Sequence, residues 1–393
     1  SYQGLVDDYN ADHDTAQITM VTWPSHDAFT QSLAGESPEP PPDIYLTSRS
    51  DLAQLQRDGL NQPLLELLDE RGVDYADDYA RDALLAFSAD NELQCMPYGI
   101  SPTVIYYNTD LIDFDRMSQQ GLLVPEDPEG LHEEWTFEEF TAAAEFATRP
   151  RRGTRGVHID PTLRGLAPFV YSGGGDLFDD DDEPTSLALY DDSSQEALTR
   201  TLELLRDASV TLTDEQLAEA TATEWFKRGK LGMIAGTREL TPELRRTPGL
   251  SFDVMPMPIL EDAATVGDIT GLCLSSDAAS TSKAADFLVH VVSPESVARV
   301  TQAGYLSPAS LPVALSDDFL QPIQQPDHAG VFSQSIRDMQ IPPLLDDWTA
   351  LEAAVAQSLD LLLTSTVPDI EGLTTQIDED SRAVLDPEPL PSP

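Results

Sequence analysis

The opening of the chain alternates between two periodicities, and that alternation narrows the possible folds more than any other feature. "YQGLVDDYNADH" places Leu5, Val6 and Tyr9 on one helical face, and "QITMVTW" (17–23) then reads as a strand rich in β-branched residues. "SHDAFTQSLAG" gives a second helix, stopped by Gly35. The next stretch, "ESPEPPPD", can be neither helix nor central strand, because proline lacks the backbone donor both require. It delivers the chain into "IYLTS" (44–48), a short apolar strand of the buried parallel kind. Helix, strand, helix, strand is an α/β signature.

The pattern continues along the chain. "DLAQLQRDGL" and "GVDYADDYARDALLAFS" read as helices, and "LQCMPYGISPTVIYYNTDLI" as a long extended stretch broken by Pro97 and Pro102. "WTFEEFTAAAEFAT" begins with Thr136 as N-cap and Glu139 three residues on, the spacing of a capping box. Then come "SQEALTRTLELLRDA", "TDEQLAEATATEWFKRGK", the strands "LGMIAG" and "FDVMPMP", and the helix pair in "SKAADFLVHVVSPESVARVTQAG". Two more helices close the chain, to about Val384, and "DPEPLPSP" (386–393) is expected to be a disordered tail. At 393 residues the chain is too long for one ordinary core.

A net charge of −48 excludes a general nucleic-acid binder, since neutralising phosphates takes clustered Lys and Arg. Anionic membranes are disfavoured for the same reason, and no apolar run approaches the roughly 20 residues of a membrane span. Lysine is confined to Lys227, Lys230 and Lys283, while acids are spread through every predicted helix. Such a coat repels itself in dilute buffer and is screened by salt, so a salt-rich habitat is one reading and high-GC codon bias the other.

Cys95 and Cys273 lie in apolar, strand-like text and are expected to be two buried thiols rather than a disulfide. The six histidines show no metal-ligand spacing, and "LHEEWT" holds one histidine where a zinc helix needs two. No G-x-S-x-G, H-E-x-x-H, Walker A or G-x-G-x-x-G motif is present, so no catalytic residue and no cofactor is expected. "GGGDLFDDDD" (173–182) invites a calcium reading, but a calcium loop alternates its oxygen ligands around a glycine and closes on a glutamate. This one does neither, and Asp179 to Asp182 are expected to form a solvated loop.

"YGISPTVIYYNTDLI", "WTFEEFTAAAEFAT", "YSGGGDLFDDDDEPTSLALYDD", "FKRGKLGMIAGT", "AGYLSPAS" and "DDWTALEAAV" occur in an order and spacing that resembles the extracellular solute-binding proteins of ABC importers, of the sugar-binding, maltodextrin type. The resemblance covers nearly the whole chain. It implies a two-lobed α/β fold of the periplasmic-binding-protein kind, with a hinge that closes the lobes over a ligand in the cleft. The first lobe would be 1–102 plus 272–318 and the second 106–266 plus 323–385. It further implies a monomer whose partners are a small carbohydrate and the permease subunits, on the outer face of the membrane or in the periplasm. Relatives usually begin with a strand before the helix matching "YQGLVDDYN"; here it is absent, which is read as a missing first segment that would also carry a lipid-anchoring signal.

Sugar binding needs flat apolar faces for the pyranose and polar groups for its hydroxyls. Trp348 is the strongest single candidate: matched to the family's late aromatic it would be a stacking wall, the other reading being an ordinary helix-face tryptophan. Trp23, with His26 close behind, lies just past a predicted strand, where α/β sheets bind ligands. Arg49 and Ser50 follow the strand 44–48 in "TSRSD". Ser101 stands in the first crossing, where relatives often place a carboxylate. Asp160, Thr162, Arg164 and Arg238 match second-lobe contact loops, Asp268 adjoins the second crossing, and Tyr305 recurs in type. Trp135 and Trp225 read as packing residues.

Arginine forks also grip carboxylates and phosphodiesters, so an anionic or polyol solute is the alternative ligand, and a glycan hydrolase the alternative outside transport. The charge makes its own prediction: the unfolding midpoint should climb from dilute buffer to molar salt. A flat response in that titration assigns the scarce lysine to codon bias.

Overall fold

The computed structural model describes residues 2–387 except 39, 74, 76, 90, 127–129, 182, 346, 347 and 366. By contact the chain sorts into two units, Ser1–Ser101 with Asp268–Leu320 and Pro102–Gly267 with Gln321–Pro393. Among the described residues no helix is long and apolar enough to cross a membrane.

The first unit is organised on the strand Thr265–Ser275, most of which lies within it. Ile44–Ser48 pairs with this strand from Ile44 opposite Leu274 to Ser48 opposite Thr270, and Asn61–Gln62 and Cys95–Pro102 pair with it as well. The expectation of a buried parallel strand at 44–48 is corrected: the pairing is antiparallel and only one face is covered. Tyr45 and Thr47 point inward while Leu46 is 41% exposed, the two-residue alternation of a half-buried strand. The helix Tyr2–Asp12 buries Leu5, Val6 and Tyr9 as its periodicity requires. Tyr9 meets Phe287 of the helix Thr281–Val292 edge-on at 4.9 Å.

Two further expectations fail here for identifiable reasons. Residues 17–23 form no strand. The Asn10 amide takes the place of a sheet partner, donating to the Ile18 carbonyl at 2.8 Å and accepting from the Ile18 N–H at 2.7 Å, and Met20 and Val21 stay substantially exposed. The helix read over "GVDYADDYARDALLAFS" shrinks to Arg81–Ala86. Ahead of it Tyr79 forms a bridge with Ser310 and donates its hydroxyl to the Val292 carbonyl at 3.2 Å, so tertiary pairing overrides local helix propensity.

The expected pair of free thiols is also corrected. Cys95 and Cys273, both fully buried, form a disulfide between neighbouring strands whose Cα atoms are 4.4 Å apart. The register that sets adjacent strands side by side also brings these two Cα atoms to a separation that a disulfide spans.

The second unit holds a four-stranded sheet in the order Arg155–His158, Leu231–Gly236, Val104–Asn108, Phe252–Met255. The first pair is parallel and the other two antiparallel. Pro97 and Pro102 both sit inside the strand Cys95–Pro102, and the extended text breaks at Thr103 instead. The helix Phe137–Ala147 starts on the expected capping box of Thr136 and Glu139 and buries Ala143, Ala144 and Ala147 completely. Small residues are needed on both sides of that contact. A Cβ at Gly156 would stand 2.2 Å from the Ala144 carbonyl oxygen, and one at Gly232 would stand 2.6 Å from the Ala147 methyl.

The text "TDEQLAEATATEWFKRGK" makes two helices, Asp214–Glu219 and Ala222–Lys227, because Thr221 caps the second as Thr213 caps the first. The chain ends in the helix Ile370–Leu385, and 388–393 of the expected disordered tail lie outside the described residues. Replacing Cys95 and Cys273 together by serine should lower the free energy of unfolding by about 2–5 kcal/mol, read from urea denaturation. A double variant as stable as the parent would show that the bond constrains nothing.

Candidate functional site

In the first unit Arg49 and Ser50 directly follow the strand Ile44–Ser48, and His26 joins them through Asp51. Trp23 is half-buried with its ring edge on Phe29 at 5.4 Å, and Phe29 packs on Tyr45 at 5.6 Å. The Trp23 indole N–H is shielded from solvent yet has no hydrogen-bond partner among the described residues. An unsatisfied donor costs about 1–3 kcal/mol, so it marks a position where an acceptor would be welcome. His26 opens the helix His26–Leu33 with Nε2 3.3 Å from the Asp51 carboxylate, which also accepts from the Thr47 hydroxyl at 2.5 Å.

Between them the chain turns through Arg49 and Ser50. The Ser50 hydroxyl donates to that of Ser48 at 3.0 Å. The Arg49 Nε donates to the Ala86 carbonyl at 3.1 Å. Burial pulls the Arg49 guanidinium down to about 10, so it remains charged at neutral pH. Ser101 is buried near the end of its strand, and Asp268 is half-buried in the strand Thr265–Ser275. Tyr305 lies beside Tyr2 and Tyr98, two phenols held above the ordinary range by burial first and then by their aromatic neighbours, an arrangement of packing within the unit.

In the second unit Asp160 and Thr162 follow the strand Arg155–His158. The His158 Nε2 lies 3.0 Å from Asp160, and this bond holds the Asp160 carboxyl below its usual range. Thr162 caps the helix Leu163–Ser172, its hydroxyl accepting from the Gly165 N–H at 3.0 Å, while Arg164 is exposed in the first turn. Arg238 is fully buried, with its guanidinium over the Phe332 ring at 5.1 Å; burial lowers it to about 10. Its place is inside the molecule, which corrects the expectation of a ligand-contact loop.

Trp348 begins the helix Trp348–Thr364, half-buried at the margin of the second core. Phe178, from the glycine-acid stretch, meets it edge-on at 5.8 Å. The glycines let that stretch lie close: a Cβ at Gly173 would be 2.4 Å from the Ala197 methyl. Behind Phe178 the acids turn on themselves. Burial would push the Asp179 carboxyl up, but the Thr185 hydroxyl at 2.5 Å and the N–H groups of Thr185 and Ser186 outweigh it and hold it below its usual range. Asp180 accepts from the Glu183 N–H at 2.9 Å, and Asp182 lies outside the described residues. Trp135 and Trp225 spend their indole N–H groups on the carbonyls of Pro256 and Gln216, as packing residues do.

Sequence reasoning missed two features of the second unit. One is a pocket of about 310 Å³ between His158, Pro161, Arg206, Thr213 and Asp360. The other is the meeting of His132, Asp253 and His328, whose positions along the chain give no local spacing signal.

Comparison with known proteins agrees with this architecture. The fold is similar to an ABC substrate-binding protein of Listeria monocytogenes solved with cycloalternan, with a TM-score of 0.80 at 19% identity, covering 97% of this chain and 95% of that one. It is also similar to the GacH receptor of Streptomyces glaucescens, studied unliganded and with acarbose, at a TM-score of 0.76 and 17% identity over 98% and 94% of the two chains. The maltotriose-binding protein of Thermus thermophilus, bound with maltotriose, aligns at a TM-score of 0.72 and 15% identity over 97% and 95%. No curated protein matches by sequence. The family model described as "Bacterial extracellular solute-binding protein" matches residues 4–326, and the chain therefore belongs to that family.

Proposed function

We propose that this protein captures a carbohydrate outside the cell and hands it unaltered to the permease of an ABC importer. The observation that carries the reading is the chain-long likeness of fold to proteins solved with cycloalternan, acarbose and maltotriose. Capture works by the hinge closure that the family resemblance implies, with ligand contacts favouring the closed state. The protein acts as a monomer, tethered by a lipid on the outer face, and ATP hydrolysis belongs to another subunit.

Two tryptophans suit a pyranose in different ways. Trp348 offers a ring braced from behind by Phe178, so a stacking sugar loses little to side-chain ordering. Trp23 offers a rigid ring and an indole N–H with no partner, which a sugar hydroxyl would satisfy. His26, which packs on the same Phe29 as Trp23, and Ser50 would serve further hydroxyls, and Asp160 and Arg164 would do the same work in the second unit. Arg238 is left out of the contact set because of its burial.

One observation favours a second reading. Arg49 keeps its charge while half-buried, beside a serine-rich turn, and a guanidinium so placed suits an acidic saccharide.

A thermal-shift screen at high salt, with neutral maltooligosaccharides and uronic acids side by side, separates the two. A ligand at one hundred times its Kd should add about 2.7 kcal/mol to stability. Trp348→Ala should weaken binding of the hit by roughly 2–4 kcal/mol, and Trp23→Phe, which keeps a ring but removes the N–H, by about 1–2 kcal/mol. A loss below about 0.5 kcal/mol removes that tryptophan from the site. Recovery of the saccharide cleaved, or no response to any saccharide, would overturn the reading.

A further inference from the structure

We propose that His132, Asp253 and His328 form a binding site for one divalent transition-metal ion of the zinc class, taking one ring nitrogen from each histidine and one carboxylate oxygen. The three come from separate stretches of the second unit: the segment before the helix Phe137–Ala147, the strand Phe252–Met255 and the segment before the helix Gly330–Ser335. One ligand atom from each lies within 4.8 Å of the others. Two atoms about 2 Å from one ion stand roughly 3–3.5 Å apart, so coordination takes a rotation of the imidazoles out of their stack and a slight widening of the His328–Asp253 contact.

The surroundings favour coordination over a plain ion pair. Asp253 is only 5% exposed, the one buried carboxylate among the described residues, where every other Asp and Glu is at least partly exposed. Its Oδ1 accepts from the backbone N–H groups of Val254 at 2.9 Å and His328 at 3.0 Å, which fixes the carboxylate and turns Oδ2 toward the His328 Nδ1 at 2.5 Å. The His132 ring is held in turn by its Nδ1, 3.1 Å from the Val254 carbonyl. The two imidazoles stack at 3.6 Å with their planes 21° apart. His132 also adopts φ of +54°, a conformation a non-glycine residue enters only when its surroundings hold it there. Imidazole nitrogens with one carboxylate suit zinc, copper or nickel, whereas calcium and magnesium prefer an all-oxygen shell. Three protein ligands leave one position for water.

The test uses untagged, chelator-stripped full-length protein in molar salt, so that the acidic surface binds little metal. Calorimetric titration with Zn²⁺ should show one ion per chain at sub-micromolar Kd, undisturbed by millimolar Mg²⁺, and Co²⁺ should give visible d–d bands of a low-coordinate nitrogen–oxygen site. His132→Gln and His328→Gln should each weaken Zn²⁺ binding at least tenfold, read on variants whose far-ultraviolet circular dichroism matches the parent's. Displacement by Mg²⁺, parental affinity in both variants, or the absence of cobalt bands in the parent protein would each overturn the assignment. The cobalt spectrum decides the matter even where a variant fails to fold, and none of these readouts depends on carbohydrate binding.

Discussion

Each unit of this protein is assembled from stretches of chain that are far apart in sequence, and the first unit depends on a covalent answer to that problem. Its larger piece ends at Ser101 and its smaller one begins at Asp268, with the body of the second unit between them. Closing a loop that long costs conformational entropy before any contact repays it. The Cys95–Cys273 bond, spanning 178 positions, removes most of that cost from the unfolded state. It also fixes the neighbouring strands on which the turn at Arg49 and Ser50 is hung. A disulfide of this kind fits an oxidising compartment, in keeping with an extracellular solute-binding family.

Electrostatics follows a second rule, with most carboxylates kept at the surface and many given local work. Asp113, Asp179 and Asp369 each accept backbone N–H groups at a turn or a helix start. In the acidic run after the glycines Asp179 and Asp180 accept N–H groups of their own turn, which directly follows the Phe178 that meets Trp348. A surface built this way carries −48 without placing repulsion in the core.

What could be read from the sequence was what local chemistry decides. The capping box at Thr136 and Glu139 and the inward face of the first helix involve residues within one or two turns of each other, and both are present. The strand expected at 17–23 failed because strand character is only half a strand, and Asn10 supplied the other half's hydrogen bonds. The direction of the strand 44–48 and the pairing of the cysteines are settled by a partner more than 170 residues away, which no local pattern reveals. Among the candidate site residues, Arg49 and Ser50 follow the strand Ile44–Ser48 as their text indicates, whereas Trp23 was placed by a strand that does not form and stands instead on Phe29. Arg238 went deeper than its loop suggested, since a guanidinium over an aromatic ring with its charge shielded is an interior arrangement.

The histidine cluster shows the same limit from the other side. His132 and His328 flank a carboxylate that looks, in "FDVMPMP", like an ordinary polar residue in a strand. Only the sheet register, which sets Tyr107 opposite Asp253, places that carboxylate in the interior. Burying it without partners would be prohibitive, and the two imidazoles and two N–H groups around it are the structural response. A chain with 70 acids has countless pairs that could be mistaken for a site. Burial, which composition cannot report, is what separates this carboxylate from the rest.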